Sequence, residues 1–433
     1  MNNAAEMGGV AARRTPFKSG VVWNFASLAF LASTGVFLNV VIGRFYGPSD
    51  LGVFNICLAV FIFLSQFGAF GLQFSVLHAV ASREKEGREE VADIASAGLA
   101  AVIATSSAAT LAGLALTPLL PRVFDAPHID DAFLAMLPGL WFFSVNKYLF
   151  GVVNGARHMR VFAALQSMRY VLLLVALAAL VILDAPGYLL TSVFTVAELL
   201  NAPALFIYAS RAISGFRLPA RRLWIDRHLS YGARSFMSGA ILELNTRVDV
   251  LIVGALIGSA NAGIYSAALL VAEGMGQAVF VMRNNLNPLV ARMIAARSRR
   301  ALLAFSRRVA LNFTMFMGVA SAAAIIAYPF YIRWGMGGGE FQLSTASVII
   351  LLAALTASAG AQCFGMILAM ADRPALHTVY VAGVLLANIA MNLVLVPLFG
   401  IEGSALATGF SYLLAGAGVV VLARKALGLR IIV

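Results

Sequence analysis

The sequence predicts an all-α integral membrane protein, with about twelve transmembrane helices in two six-helix lobes related by a pseudo-two-fold axis along the membrane normal. Three observations carry that expectation. The 433 residues are 61% hydrophobic and only 12% charged, where soluble chains carry about 25% charged residues. The apolar residues fall in blocks of roughly 20, enough at about 1.5 Å per residue to cross about 30 Å of hydrocarbon. Lysine and arginine gather in alternate connections, and a stretch of the first half returns in the second. The blocks read as helices because a lipid-exposed backbone must satisfy its own hydrogen bonds, and the short alternating segments of a β-barrel are missing.

The first span covers about 20–43. Arg13, Arg14 and Lys18 precede it, and it is too long for a cleaved signal core, so it reads as a helix with its positive end inside. A Gly-Pro turn leads into the second span at 52–78, and the mixed-charge run 82–90 is a solvated loop before the third at 94–118. The fourth, fifth and sixth spans are 133–153, 161–183 and 188–210; Pro138 and Pro203 interrupt the fourth and sixth as candidate bends. These spans form an N-terminal lobe, 1–210, which a basic cytoplasmic linker, 211–232, joins to a C-terminal lobe, 233–433. That lobe holds spans at 233–258, 262–286, 309–330, 343–370, 377–397 and 403–423. Between its second and third spans, 291–308 alternates basic and apolar residues at helical spacing, as an interfacial helix on anionic lipid headgroups does. The glycines Gly337 to Gly339 form a turn in an outer loop.

Charge sets the orientation. The net charge of +12 would suggest nucleic acid for a soluble chain. Here the basic residues instead fall in every second connection, from Arg83, Lys85 and Arg88 to Arg424 and Lys425, while the intervening loops hold only Arg44, Arg122 and Arg333. The positive-inside rule then places both termini in the cytoplasm, with no nucleic-acid partner. Cys57 and Cys363 lie inside apolar blocks and the histidines are scattered, so no disulfide, metal site or cofactor is expected. No phosphate-binding loop is present, and the outer loops are too short to build a catalytic site, so the chain reads as a non-enzyme without catalytic residues.

The repeat ties the halves together. Val41–Asn55 aligns without gaps on Ile252–Ser266, placing Gly43 on Gly254, Gly47 on Gly258, Gly52 on Gly263 and Phe54 on Tyr265. Each is the outer turn between the first and second spans of a six-helix unit. Six is even, so both units share one orientation.

Charges at mid-membrane depth mark the candidate site, because each would cost about 2.5 to 3.5 kcal/mol on insertion scales. Glu243, Arg247 and Asp249 lie in the seventh span. Glu243 and Arg247 share a face and are placed for a local ion pair, whereas Asp249 points about 200° away from Arg247 and needs another partner, Asn245 or a cation on another helix. A buried structural ion pair and a functional cavity are both open readings of this group. Lys147, Arg169, Glu198, Glu273 and Arg283 complete the set. Arg247, Arg169, Lys147 and Arg283 are candidates for a cationic substrate cavity, and Asp249, Glu243, Glu198 and Glu273 for ion coupling.

The run Gly43-Arg-Phe-Tyr-Gly-Pro-Ser-Asp-Leu-Gly-Val-Phe54, the seventh span with Asp249 and then Gly263-Ile-Tyr265, and Asn388 and Asn392 followed by Val396 to Thr408 resemble the polysaccharide-lipid flippases. These are the oligosaccharidyl-lipid branch of the superfamily that includes the MATE exporters and the lipid II flippase. The resemblance implies a two-lobe carrier that moves undecaprenyl-pyrophosphate-linked oligosaccharide units to the periplasmic leaflet of the inner membrane by alternating access. It implies coupling to H+ or Na+ and other polysaccharide assembly proteins as partners. Against it stand a MATE-like antiporter of small cationic compounds and, from another class, a membrane glycan polymerase. Asp249 falls on Leu38 of the first lobe at the repeat offset, so this charge belongs to the second lobe alone.

Overall fold

The computed structural model describes residues 17–82, 88–217, 222–296 and 298–428. Arg13, Arg14, Arg83, Lys85 and Arg297 lie outside the described residues. Among those described, nine helices are long and apolar enough to cross a membrane. Two of them are double: Phe17–Ala69 is broken at Gly47 (φ 84°, ψ −176°), and Pro374–Leu427 at Gly400 (φ 59°, ψ −135°). The helix Arg222–Ile257, 36 residues long and too polar to count among the nine, occupies the place of the expected seventh span. The expected all-helical, twelve-span architecture is what the chain adopts.

The repeat is visible in the backbone. Gly47, with φ 84°, and its counterpart Gly258, with φ 89°, both adopt the positive φ that L side chains disfavour, and each turns one long helix into the next. Beyond them the second and eighth spans cross at Gly52 and Gly263. A methyl on Gly52 would lie 1.8 Å from the carbonyl oxygen of Ser259, and one on Gly263 would lie 2.0 Å from that of Pro48. Pro48 and Ser259 are themselves repeat partners, so each glycine admits the backbone of the other half in the same way. The pseudo-two-fold axis passes through this crossing, where Ser49 and Ser259 hydroxyls also meet at 3.4 Å.

Apolar burial divides along the axis. One core joins both halves toward the crossing, with Leu51, Phe54 and Ile56 packed among Val253, Tyr265 and Ala268. Toward the basic end each half has its own core, Tyr148, Val152 and Leu205 in the first and Leu286, Leu355 and Phe364 in the second. The loops at the end opposite the basic residues are cross-linked: Arg44 donates to the carbonyl of Trp334, and Ser259 N–H donates to Asp125 O at 3.0 Å. Two halves fastened at one end and separately packed at the other can rock about the fastening.

Several local expectations change. The seventh helix begins at Arg222, inside the stretch expected to be linker. Its first turns pack on the first half, where His228 Nε2 donates to Ile94 O at 3.0 Å and Nδ1 accepts from Ser75 Oγ at 2.7 Å. Phe236 stacks on Phe70 with centroids 5.2 Å apart. The basic stretch 291–308 does not make a helix of its own: residues 291–295 end the helix Ser259–Ala295, and residues 299–308 open the helix Arg299–Phe330. Pro138 and Pro203 lie within continuous helices, and the sharp break of the second span falls instead at Phe70 and Gly71, between Ala69 and Leu72.

Candidate functional site: a cavity between the halves

A cavity of about 260 Å³ lies between the halves, on the basic-end side of the glycine crossing. The first and second spans contribute Leu38, Asn39, Phe54 and Asn55, and the seventh and eighth contribute Arg247, Ser266, Glu273 and Gln277. Asn55 Nδ2 donates to Asn39 Oδ1 at 3.0 Å, so the two amides present one polar patch. Opposite them Arg247 faces Glu273 at 3.6 Å, with side chains 26% and 27% exposed. That separation exceeds hydrogen-bond length, and Glu273 Oε1 has no hydrogen-bond partner. The pair is held by charge alone. An anion entering the cavity can therefore compete for the guanidinium without breaking a directed bond.

Asp249 belongs to a second, deeper arrangement inside the C-terminal half. Only 4% exposed, its carboxylate accepts from Tyr265 Oη at 2.9 Å, from Thr408 Oγ1 at 3.3 Å and from Val250 N–H at 2.9 Å. Asn388 Nδ2 donates to Thr408 Oγ1 at 3.4 Å. Asn392 Nδ2 donates to Asn388 Oδ1 at 3.1 Å, and Ser404 Oγ donates to Asn392 Oδ1 at 2.7 Å. The side-chain partners of Asp249 are hydroxyls, not Asn245 or a cation as expected, because its side chain points into its own half. One carboxylate among neutral oxygens matches a single positive charge, a proton or a monovalent metal ion. No group of three or more His, Cys, Asp or Glu side chains that could hold a metal occurs among the described residues.

The first half carries its own pair. Arg169 contacts Glu198, which also accepts from Asn146 Nδ2 at 2.9 Å. The Arg169 guanidinium lies over Phe143 at 4.6 Å, and Lys147 Nζ approaches the same ring at 5.8 Å. Lys147 is under the charge of Glu243 from the seventh helix. The cation expected to pair locally with Glu243 instead faces another helix, since Arg247 stands against Glu273. Arg283 stands apart from all of these.

Of the predicted positions, then, the fold brings Arg247 and Glu273 into the cavity, sets Asp249 behind it, and uses Arg169 with Glu198 inside the first half. Sequence reasoning missed the roles of Asn55, Asn146 and Ser404. A signal for the first existed: Asn39 and Asn55 are sixteen apart across the first outer turn, as Asp249 and Tyr265 are across the second.

A two-half, all-helical membrane architecture with a charged cavity between the halves is the MATE-like fold. The chain belongs to the polysaccharide biosynthesis protein family, whose profile matches residues 19–282. Among solved structures it is similar to the lipid II flippase MurJ in an inward closed conformation, at 15% identity and TM-score 0.74, covering 94% of this chain and 88% of that one. It is also similar to an inward-facing multidrug resistance MATE family transporter of the MOP superfamily, at 13% identity and TM-score 0.76, covering 94% and 98%. The MATE multidrug transporter DinF-BH matches at 15% identity and TM-score 0.67, covering 99% and 100%. No curated protein sequence matches.

Proposed function

We propose that the protein flips undecaprenyl-pyrophosphate-linked oligosaccharide units across the bacterial cytoplasmic membrane by alternating access, driven by an ion gradient. The observation that carries this reading is the Arg247–Glu273 pair in the wall of the cavity between the halves, in a chain of a polysaccharide biosynthesis family. Arg247 offers a planar fork to diphosphate oxygens. When the headgroup takes the guanidinium, Glu273 loses its partner, and the halves can rock about the Gly52–Gly263 crossing. Asp249 lies two residues from Arg247 on the same helix, so an ion bound among Asp249, Tyr265 and Thr408 acts on the element that presents the headgroup site. The cavity of about 260 Å³ is below the range of about 300–1,000 Å³ typical of ligand pockets, so the sugar must enter through a wider opening at the basic end.

Deletion of the gene tests the reading. Lipid-linked repeat units should accumulate on the inner leaflet, and normal surface polysaccharide in a clean deletion refutes it. Equal numbers of acids and cations among the mid-membrane candidates favour a second reading, a MATE-like antiporter of small cationic compounds. That reading requires overexpression to confer resistance to such compounds.

A further inference from the structure

The two walls of the cavity between the halves are chemically unlike. The second-half wall carries the charge, Arg247 and Glu273. The first-half wall holds no ionisable side chain: Asn39 and Asn55 stand there among aliphatic groups and the rings of Phe54 and Phe194, whose centroids are 5.8 Å apart. The repeat puts the cavity on the pseudo-axis, since Asn55 and its counterpart Ser266, and Leu58 and its counterpart Leu269, all line it. The neutral groups are only partly engaged by the chain. Asn55 Nδ2 donates to Leu51 O at 3.1 Å and to Asn39 Oδ1 at 3.0 Å, and Asn39 Nδ2 donates to Gly35 O at 2.9 Å. These bonds fix both amides and leave Asn55 Oδ1 and the second N–H of Asn39 free for a group in the cavity. Ser266 Oγ donates to Ala262 O at 2.7 Å and keeps its lone pairs. Gln277, exposed on the eighth span, has no hydrogen-bond partner among the described residues. Bonding between the first and second spans accounts for the Asn39–Asn55 contact; it accounts for neither the free amide atoms nor Gln277.

We infer that this wall selects the glycan: Asn39 and Asn55, with Gln277 of the eighth span, hold one uncharged sugar residue of the cargo. That the cargo is a lipid-linked glycan rests on the flippase reading; the preference for a neutral sugar rests on the chemistry of the wall. A sugar ring carries a rim of hydroxyls, each both donor and acceptor, around apolar C–H faces. The amides offer a free acceptor and free donors to the rim, and the phenyl rings meet the faces. An acetamido group, with one N–H and one C=O, suits the same amides. A uronic acid does not. Its carboxylate would meet Glu273 and a wall without a cation, while Arg247, the one cation lining the cavity among the described residues, already faces Glu273. The volume of about 260 Å³ suits a single sugar residue rather than a repeat unit.

The test is a binding titration of the purified full-length protein in detergent with farnesyl diphosphate, bare or bearing one glucose, N-acetylglucosamine or glucuronic acid residue. The readout is the affinity of each sugar-bearing analogue relative to the bare one, a ratio that a general loss of affinity does not move. In the wild type the two neutral sugars should bind about tenfold tighter than the bare diphosphate and glucuronic acid no tighter. Asn55→Leu and Gln277→Met should each cut the neutral-sugar advantage about threefold and together abolish it, whereas Arg247→Gln should weaken every analogue and keep the ratio. Should Asn55→Leu fail to fold, Gln277→Met decides the matter alone, since that side chain is exposed and bonded to nothing in the chain. An advantage absent from the wild type, equal for glucuronic acid, or unchanged in every folded Asn55 and Gln277 variant overturns the inference; bare farnesyl diphosphate that still binds in that case leaves the flippase reading standing. Binding of the methyl glycosides of the neutral sugars that depends on Asn55 and Gln277, in a protein that does not bind farnesyl diphosphate, keeps the sugar wall and removes the flippase reading.

Discussion

The glycine crossing lends itself to a quantitative test. In Gly52→Ala the new methyl would sit 1.8 Å from Ser259 O, where ordinary contact begins near 3.4 Å, so the helices must part by about 1.5 Å locally. Overpacking of this kind costs about 1–3 kcal/mol. The cost falls only on the conformation in which the outer ends touch. A coupling of that size lowers the population closed at the outer end by about 5- to 150-fold relative to the open one. Spin labels at Arg122 and Glu340, exposed on the two halves at the end opposite the basic residues, report the distance between them. Cys57 and Cys363 are buried, so labelling at introduced cysteines is selective. The expected result is a longer, broader distance distribution with reduced export at normal protein level. Gly263→Ala should do the same, and the double variant should cost less than the sum, because the first separation makes room for the second methyl. An unchanged distance distribution and unchanged export in both single variants would refute the crossing as the closure point.

Other perturbations probe the interior. Asp249→Asn keeps an oxygen acceptor for Tyr265 and Thr408 but removes the charge, so export measured in cells should fall and lose its dependence on the ion gradient while membrane insertion is retained; undiminished gradient-dependent export would count against it. Glu198→Gln strips a nearly buried pair of one partner and should cost about 3–5 kcal/mol of stability in detergent melts, whereas replacing Arg169 and Glu198 together by leucine should cost much less. His228 lies before the membrane-spanning part of its helix, and burial, only partly offset by its bond to Ile94, holds the ring below the ordinary 6.5. The unfolded or undocked segment then binds the extra proton, so docking is full above pH 6.5 and weakens below it, by up to about 1.4 kcal/mol per pH unit. Hydrogen exchange over the first turns of the Arg222–Ile257 helix should rise on acidification, and in His228→Asn that dependence should vanish.

The membrane architecture was legible because hydrocarbon imposes length and composition on every crossing, and because Gly47, Gly52, Gly258 and Gly263 each answer a backbone requirement that no other residue meets. The mid-depth charges were legible as exceptions for the same reason. Their partners were not. Helical spacing suggested Glu243 with Arg247, but local geometry decides such pairs only when no neighbouring helix offers a better one, and here the eighth helix offers Glu273. The hydroxyls around Asp249 carry no signal of their own in an apolar sequence, since Thr408 and Tyr265 are ordinary membrane residues until the fold aims them at a carboxylate. The basic run at 291–308 read as one separate helix because the ends of two successive helices and a single short helix share one amphipathic pattern.

Reciprocal contact at the crossing also bears on descent. Each glycine accepts the backbone that precedes the other, which is the rule of a self-complementary interface between two identical subunits. A single six-helix unit that bound a copy of itself through this surface would need only one solution to the packing problem. Fusing the two copies keeps that obligation: drift at Gly52 must be answered at Gly263, so the pivot stays symmetric. Positions away from it carry no such bond, and there one half has Asp249 where the other has Leu38. A first half paired with itself would repeat the reciprocal glycine contact and would lack the buried carboxylate that Asp249 gives the second.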